Sequence, residues 1–232
     1  MSIDPPVTHV LFDMDGLLLD TEAVYTKVTN DIVSRYGKTY DWDLKSKMMG
    51  MKERDAGELL VRTLGIPMTV DEYLAERNAG HEALFPHCRP LPGVMKLVSH
   101  LKKHNIPIAV ATSSHRSAFE LKSSLNGELF GLFDGHITCG DDPSIKHGKP
   151  APDLFLAAAK ALGNPLVDPR SCLVFEDSNP GVLAGLNAGM SVVWIPDPNL
   201  KTDDPTLGER VSDVLGSMEE FQPEKYGLPP YE

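Results

Sequence analysis

Cysteine is scarce in this 232-residue chain: Cys88, Cys139 and Cys172 are odd in number, scattered, and form no C-x-x-C pair. This argues against a disulfide framework or a cysteine zinc site, and makes a reducing, cytoplasmic setting the expectation. Positive charge is also short, with 22 Lys and Arg against 33 Asp and Glu, a net charge of −11. Such a surface disfavours a nucleic-acid partner, because binding to phosphate backbones depends on Lys and Arg. No apolar run is long enough to cross a bilayer, so no membrane partner is expected. The segment Met1-Ser2-Ile3-Asp4-Pro5-Pro6 lacks the basic and apolar regions of a secretory signal, and none is expected. Internal repeats and low-complexity stretches are missing as well.

What is present suits an ordinary globular α/β chain, with 41% hydrophobic and 24% charged residues. Apolar runs rich in Val and Ile predict strands at 9–12, 106–111, 135–139, 172–175 and 191–195. Helical patterns lie between them, beginning near Pro92, Pro152 and Asn179, the last with Ser178 or Asn179 as N-cap and Pro180 in its first turn. This alternation indicates a doubly wound parallel sheet covered on both faces. Between residues 21 and 87 it gives way to amphipathic helices at about 22–36, 43–49, 54–64 and 70–85. The chain therefore divides into an α/β core of residues 1–20 and 88–232 and an inserted helical domain of residues 21–87. The tail from Phe221 is predicted irregular, pinned to the surface by Phe221, Tyr226 and Tyr231.

Polar residues gather where the strands end. The first strand stops in Asp13-Met14-Asp15-Gly16, and side chains two apart on a strand share a face. Two carboxylates so close are costly unless a cation, a shared proton or donor groups compensate them. Thr112-Ser113-Ser114 follows the second strand, Gly148-Lys149-Pro150 precedes a helix, and Glu176-Asp177 follows the fourth strand. Ligands of parallel α/β sheets bind beyond the carboxyl ends of the strands, so these segments can converge. Together they supply oxygen ligands for a hard cation, an ammonium for an anion, and hydroxyl and N–H donors for its oxygens. Singly, each has a bland reading: a turn, a helix cap or a solvated lysine.

The four segments, in this order and spacing, resemble the motifs of the haloacid dehalogenase superfamily, in its phosphatase branch with a helical cap inserted after the first motif. The likeness runs over nearly the whole chain, and Asp13-Met14-Asp15-Gly16-Leu17-Leu18-Leu19-Asp20-Thr21 matches closely by itself. It implies Asp13 as nucleophile and Asp15 as general acid and base, with Thr112 and Ser113 binding the phosphoryl oxygens. Lys149 would bridge nucleophile and phosphoryl group. Mg²⁺ would be held by Asp13, Asp177 and the main-chain carbonyl of Asp15, with Glu176 behind it or sharing it. In capped members the loop Gly50-Met51-Lys52-Glu53-Arg54 faces the active site, so Lys52 or Arg54 is expected to touch substrate unless Glu53 and Asp55 pair with them.

The resemblance implies a Mg²⁺-dependent phosphatase for a small phosphorylated metabolite, and a monomer is expected. Dehalogenation is disfavoured, because that branch lacks an acid at position 15. A β-phosphoglucomutase-like mutase is the second reading, weakened because Tyr25 stands where that enzyme carries a cap histidine. A non-catalytic binding protein would have no need of Asp15. Segments outside the cap, among them Gly140-Asp141-Asp142-Pro143 and the tail from Phe221, resemble the subfamily of pseudouridine-5′-phosphatases and plant glycerol-3-phosphatases. The expected substrate is pseudouridine 5′-phosphate, with glycerol 3-phosphate and sugar phosphates as alternatives.

Overall fold

The computed structural model describes residues 5–48, 51, 53–163, 167–200, 202 and 204–232. Its sheet contains six strands: β1 (His9–Phe12), β2 (Ile108–Thr112), β3 (Ile137–Cys139), β4 (Cys172–Glu176), β5 (Ser191–Trp194) and β6 (Asp213–Val214). All pair in parallel, in the order β3-β2-β1-β4-β5-β6. The chain builds outward from β1 through β2 to β3, then returns to the other side of β1 with β4. The ends of β1 and β4 thus meet at a topological switch point, where such sheets hold their ligands.

The strands read as apolar runs because both faces are covered. Val10 and Phe12 join Val110, Leu173 and Phe175 on one face, while Leu11 joins Ala109, Ala111 and Val174 on the other. The first face is packed by α5 (Val94–Lys103) and the tail, the second by α8 (Asp153–Ala161) and α9 (Asn179–Asn187). Between β1 and α5 lie α1 (Thr21–Ser34), α2 (Trp42–Met48), α3 (Glu53–Leu64) and α4 (Val70–Leu84). Their apolar faces meet in a separate cluster of Val28, Ile32, Val33, Leu44, Leu60 and Tyr73. Among the described residues no helix is long and apolar enough to cross a membrane.

Boundaries differ from the sequence reading for local reasons. Strand β2 begins at Ile108 rather than Ile106, because Ile106 N–H closes the end of α5 on the Leu101 carbonyl and Pro107 has no N–H to give. β3 begins at Ile137, since Asp134 and Gly135 turn with φ of 51° and 80°. α5 begins only after Gly93, whose φ is 84° and whose added Cβ would lie 2.5 Å from the Glu219 nitrogen. Strand β6 has two residues and no apolar run, so periodicity could not reveal it.

The tail is better ordered than expected. Pro223–Tyr226 forms a 3₁₀ turn, and Phe221 is 2% exposed with its ring edge-on to Phe175 at 4.8 Å. Phe221→Ala should therefore destabilise the protein by about 3–5 kcal/mol. Equilibrium urea denaturation measures this; a loss below about 1 kcal/mol would show that the tail does not complete the core.

Candidate active site

Asp13 follows β1 directly, and its N–H donates to the Phe175 carbonyl at 3.0 Å, locking the ends of β1 and β4 together. Its side chain is 9% exposed. Lys149 reaches this point from the segment before α8. The ammonium donates to Asp13 Oδ1, to Glu176 Oε1 at 2.6 Å and to the Ala111 carbonyl at 3.2 Å. Glu176, the last residue of β4, is fully buried, and its other oxygen accepts from Asp177 N–H, Ser178 N–H and Ser178 Oγ at 2.9, 2.9 and 3.0 Å. It thus anchors the lysine on one side and the start of α9 on the other. Ser178 also caps that helix, accepting from Gly181 N–H at 3.2 Å, which settles the N-cap in its favour.

Asp13, Glu176 and Asp177 each offer a carboxylate oxygen within 4.8 Å of the others. Three acids around one ammonium leave negative charge uncompensated, and the chemistry of this set fits a hard divalent cation. Burial first, then the charges of Glu176 and Asp15, pushes the Asp13 carboxyl up to about 7 against the pull of Lys149. Burial and the same carboxylate crowding hold Asp177 well above the usual carboxylate range. Gly16 has a φ of 78°, and a Cβ there would sit 2.4 Å from Asp177 Oδ2, so glycine keeps the space beside this carboxylate open.

Asp15 lies in a different field. Its Oδ1 accepts from Lys122 Nζ at 2.6 Å, and its Oδ2 from Ser114 Oγ at 2.8 Å and Thr112 Oγ1 at 3.4 Å. Burial alone would raise its pKa, but the Lys122 charge and the bonds from Lys122 and Ser114 hold it below the ordinary value. Lys122, on α6 (Arg116–Ser123), was not singled out by the sequence reading. The available signal was a lysine three residues after Phe119 on the buried face of a helix.

A cavity of about 490 Å³ opens over these groups, lined on the sheet side by Asp13, Asp15, Ser113, Ser114, Lys149 and Asp177. Its helical wall includes Glu22, Tyr25, Tyr40, Lys45, Tyr73 and Arg77, none of which the sequence reading assigned to the site. Thr112 is fully buried beneath this surface, its hydroxyl accepting from Ser114 N–H at 3.0 Å. Arg54, expected to touch substrate, does not line this cavity. Its side chain is 60% exposed and pairs with Asp71 at 2.7 Å and Glu58 at 3.6 Å, away from the cavity wall. Its partners lie one turn along α3 and at the start of α4, rather than at Glu53 or Asp55. Glu53 pairs instead with Arg77. Lys52 lies outside the described residues.

With this geometry in view, comparison with known proteins is direct. Residues 7–189 match the model of the haloacid dehalogenase-like hydrolases, and the chain belongs to that family. It is 46% identical to (DL)-glycerol-3-phosphatase 2 of Arabidopsis thaliana, over 97% of this chain and 93% of that protein. It is 43% identical to a probable pseudouridine-5′-phosphatase of Drosophila melanogaster, over 97% and 96% of the respective chains. Among solved structures, a haloacid dehalogenase family hydrolase of Deinococcus radiodurans with bound phosphate and sodium superposes with a TM-score of 0.79. It is 27% identical, and the match covers 98% of this chain and 100% of that one.

Two outcomes test the site's electrostatics. A carboxyl whose folded pKa lies above its unfolded value near 3.9 binds its proton more tightly when folded, so it costs stability as pH rises through the folded value. For Asp13 that window runs up to about 7, and Asp177 acts in the same direction. Thermal melts should show Mg²⁺ raising the Tm more at pH 8 than at pH 5; an equal or reversed gain would contradict this charge balance. Arg54→Ala should leave kcat/KM within about twofold of the parent, as for a surface substitution.

Proposed function

We propose that this hydrolase is a Mg²⁺-dependent phosphatase of a small phosphomonoester, working through an aspartyl-phosphate on Asp13. The observation that carries the reading is the Asp13–Lys149 ion pair at the floor of the cavity, with Asp177 beside it and Asp15 two residues on. We assign residues 1–20 and 88–232 to a catalytic core and residues 21–87 to a cap whose helices roof the cavity. Asp13, Asp177 and the main-chain carbonyl of Asp15 would hold the metal, with Glu176 behind them tying Lys149 in place. Bound there, Mg²⁺ supplies positive charge that offsets the repulsion between a phosphoryl dianion and the carboxylates.

The chain's own groups account for the remaining steps. Lys149 holds Asp13 and draws in the phosphoryl oxygens, and Ser113 and Ser114 face the same space. Asp13 attacks phosphorus as the bond to the leaving oxygen breaks, and Asp15 protonates that oxygen. Water then attacks the phosphorus of the aspartyl-phosphate and loses its proton to Asp15. Phosphate departs and Asp13 is restored. Closure of the roof excludes bulk water from the intermediate.

The cavity is within the size range of small-molecule sites and has room for a nucleoside monophosphate. Pseudouridine 5′-phosphate is accordingly the substrate we favour. Glycerol 3-phosphate is the second reading, favoured by the 46% identity to a glycerol-3-phosphatase. Phosphate release from both, and from several hexose phosphates, should rank these by kcat/KM, and a product that is an isomerised sugar phosphate would point to a mutase instead. Asp13→Asn should lower release on every substrate by at least about 10³-fold while leaving the melting curve cooperative; retained turnover refutes the nucleophile.

A further inference from the structure

Lys122 is a buried cation that the proposed reaction leaves without a part. Its side chain is 1% exposed, and its hydrogen bonds run to Asp15 Oδ1 at 2.6 Å, Ser114 Oγ at 3.0 Å and the Tyr25 hydroxyl at 3.2 Å. The ammonium also lies 4.7 Å from the Phe85 ring centre and 5.5 Å from that of Tyr25. A buried ammonium is tolerated only when paired and hydrogen-bonded, and its carboxylate partner here is Asp15. The pairing is more than a tie between elements. Lys122 takes one oxygen of Asp15 while Ser114, itself bound to Lys122, takes the other. A carboxylate held by both oxygens cannot swing.

We propose that Lys122 is a positioning residue that fixes the Asp15 carboxylate for the attack of water on the aspartyl-phosphate, an inference that rests on the phosphatase reading. In that step a water oxygen bonds to phosphorus, the bond from phosphorus to Asp13 oxygen breaks, and the water proton passes to Asp15. Water is weakly bound and small, so the base must be aimed for it. Breaking the ester of an aryl phosphate makes no such demand, because a nitrophenolate leaves without a proton. The Tyr25 hydroxyl extends the arrangement to α1, so the roof of the cavity shares in holding the lysine.

The two halves of the reaction therefore respond differently to loss of Lys122. With p-nitrophenyl phosphate and Mg²⁺, Lys122→Met should form the aspartyl-phosphate at close to the parental rate and hydrolyse it about 100-fold more slowly. Stopped flow would show a burst of nitrophenolate approaching one equivalent per active site, and intact mass after acid quench would show phosphorylated enzyme. A purely structural role would slow both halves together and give no burst. That result, or steady-state turnover within about twofold of the parent, overturns the proposal. Should Lys122→Met fail to give a cooperative melt, Lys122→Gln, which keeps a donor and most of the length, is read by the same burst and judged the same way. A parent enzyme that releases no phosphate refutes the phosphatase reading itself; a competent parent with a burst-free variant refutes only the role of Lys122.

Discussion

The buried ammonium of Lys149, shared between Asp13 and Glu176, is the contact on which the rest of the structure depends. Taking three charges out of water costs several kcal/mol for each ion unless partners satisfy them fully. The fold meets that demand from three directions. β1 supplies Asp13, β4 supplies Glu176, and the segment before α8 supplies the lysine. The second oxygen of Glu176 is occupied by two N–H groups and a hydroxyl at the start of α9, where a helix N-terminus favours negative charge. Gly181 makes this approach possible, since a Cβ there would lie 1.7 Å from Glu176 Oε1. Sheet order, helix start and charge balance are therefore one constraint. A shift of any of these elements leaves a buried charge unpaired.

The same constraint explains what could be read in the chain beforehand. Asp13 and Asp177 stand beside breaks in apolar runs, and a parallel sheet brings such breaks to one edge, so linear position was enough to gather them; Lys149 stood out through Gly148-Lys149-Pro150 before a helix and the family motif it resembles. Lys122 and Tyr25 sit inside helices, where position along the chain does not say which way a side chain faces the site. Glu22, Lys45, Tyr40 and Arg77 meet only through the packing of α1, α2, the link between them and α4, which is a tertiary fact. Arg54 shows the converse case. A cation in a loop expected to face the site has acids available on α3 and α4, and Asp71 at the start of α4 takes it. The six-stranded sheet was legible except at β6, where two residues carry no pattern. The tail read as irregular because prolines hide its order, whereas its aromatic residues are what bury it.

Two aspartates separated by one residue end up in opposite fields, Asp13 pushed up and Asp15 held down. The neighbours divide accordingly. Asp13 shares its lysine with a second buried acid and faces a third, while Asp15 has Lys122 and hydroxyl donors to itself. Pairs driven apart in this way mark distinct chemical duties. In the proposed reaction the nucleophile must be ionised, yet the protein's own charges leave Asp13 reluctant to ionise. A divalent cation beside Asp13 and Asp177 would remove that reluctance, so competence of the nucleophile is tied to loading of the site. The counter-charge built into α6 suits Asp15 to take the water proton in the second step, whereas to protonate the leaving oxygen in the first it must carry a proton against that same field. With an overall charge of −11, the surface field offers an anionic substrate no attraction. In the proposed reaction that attraction comes from the site itself, from Lys149 and the divalent cation its carboxylates would hold.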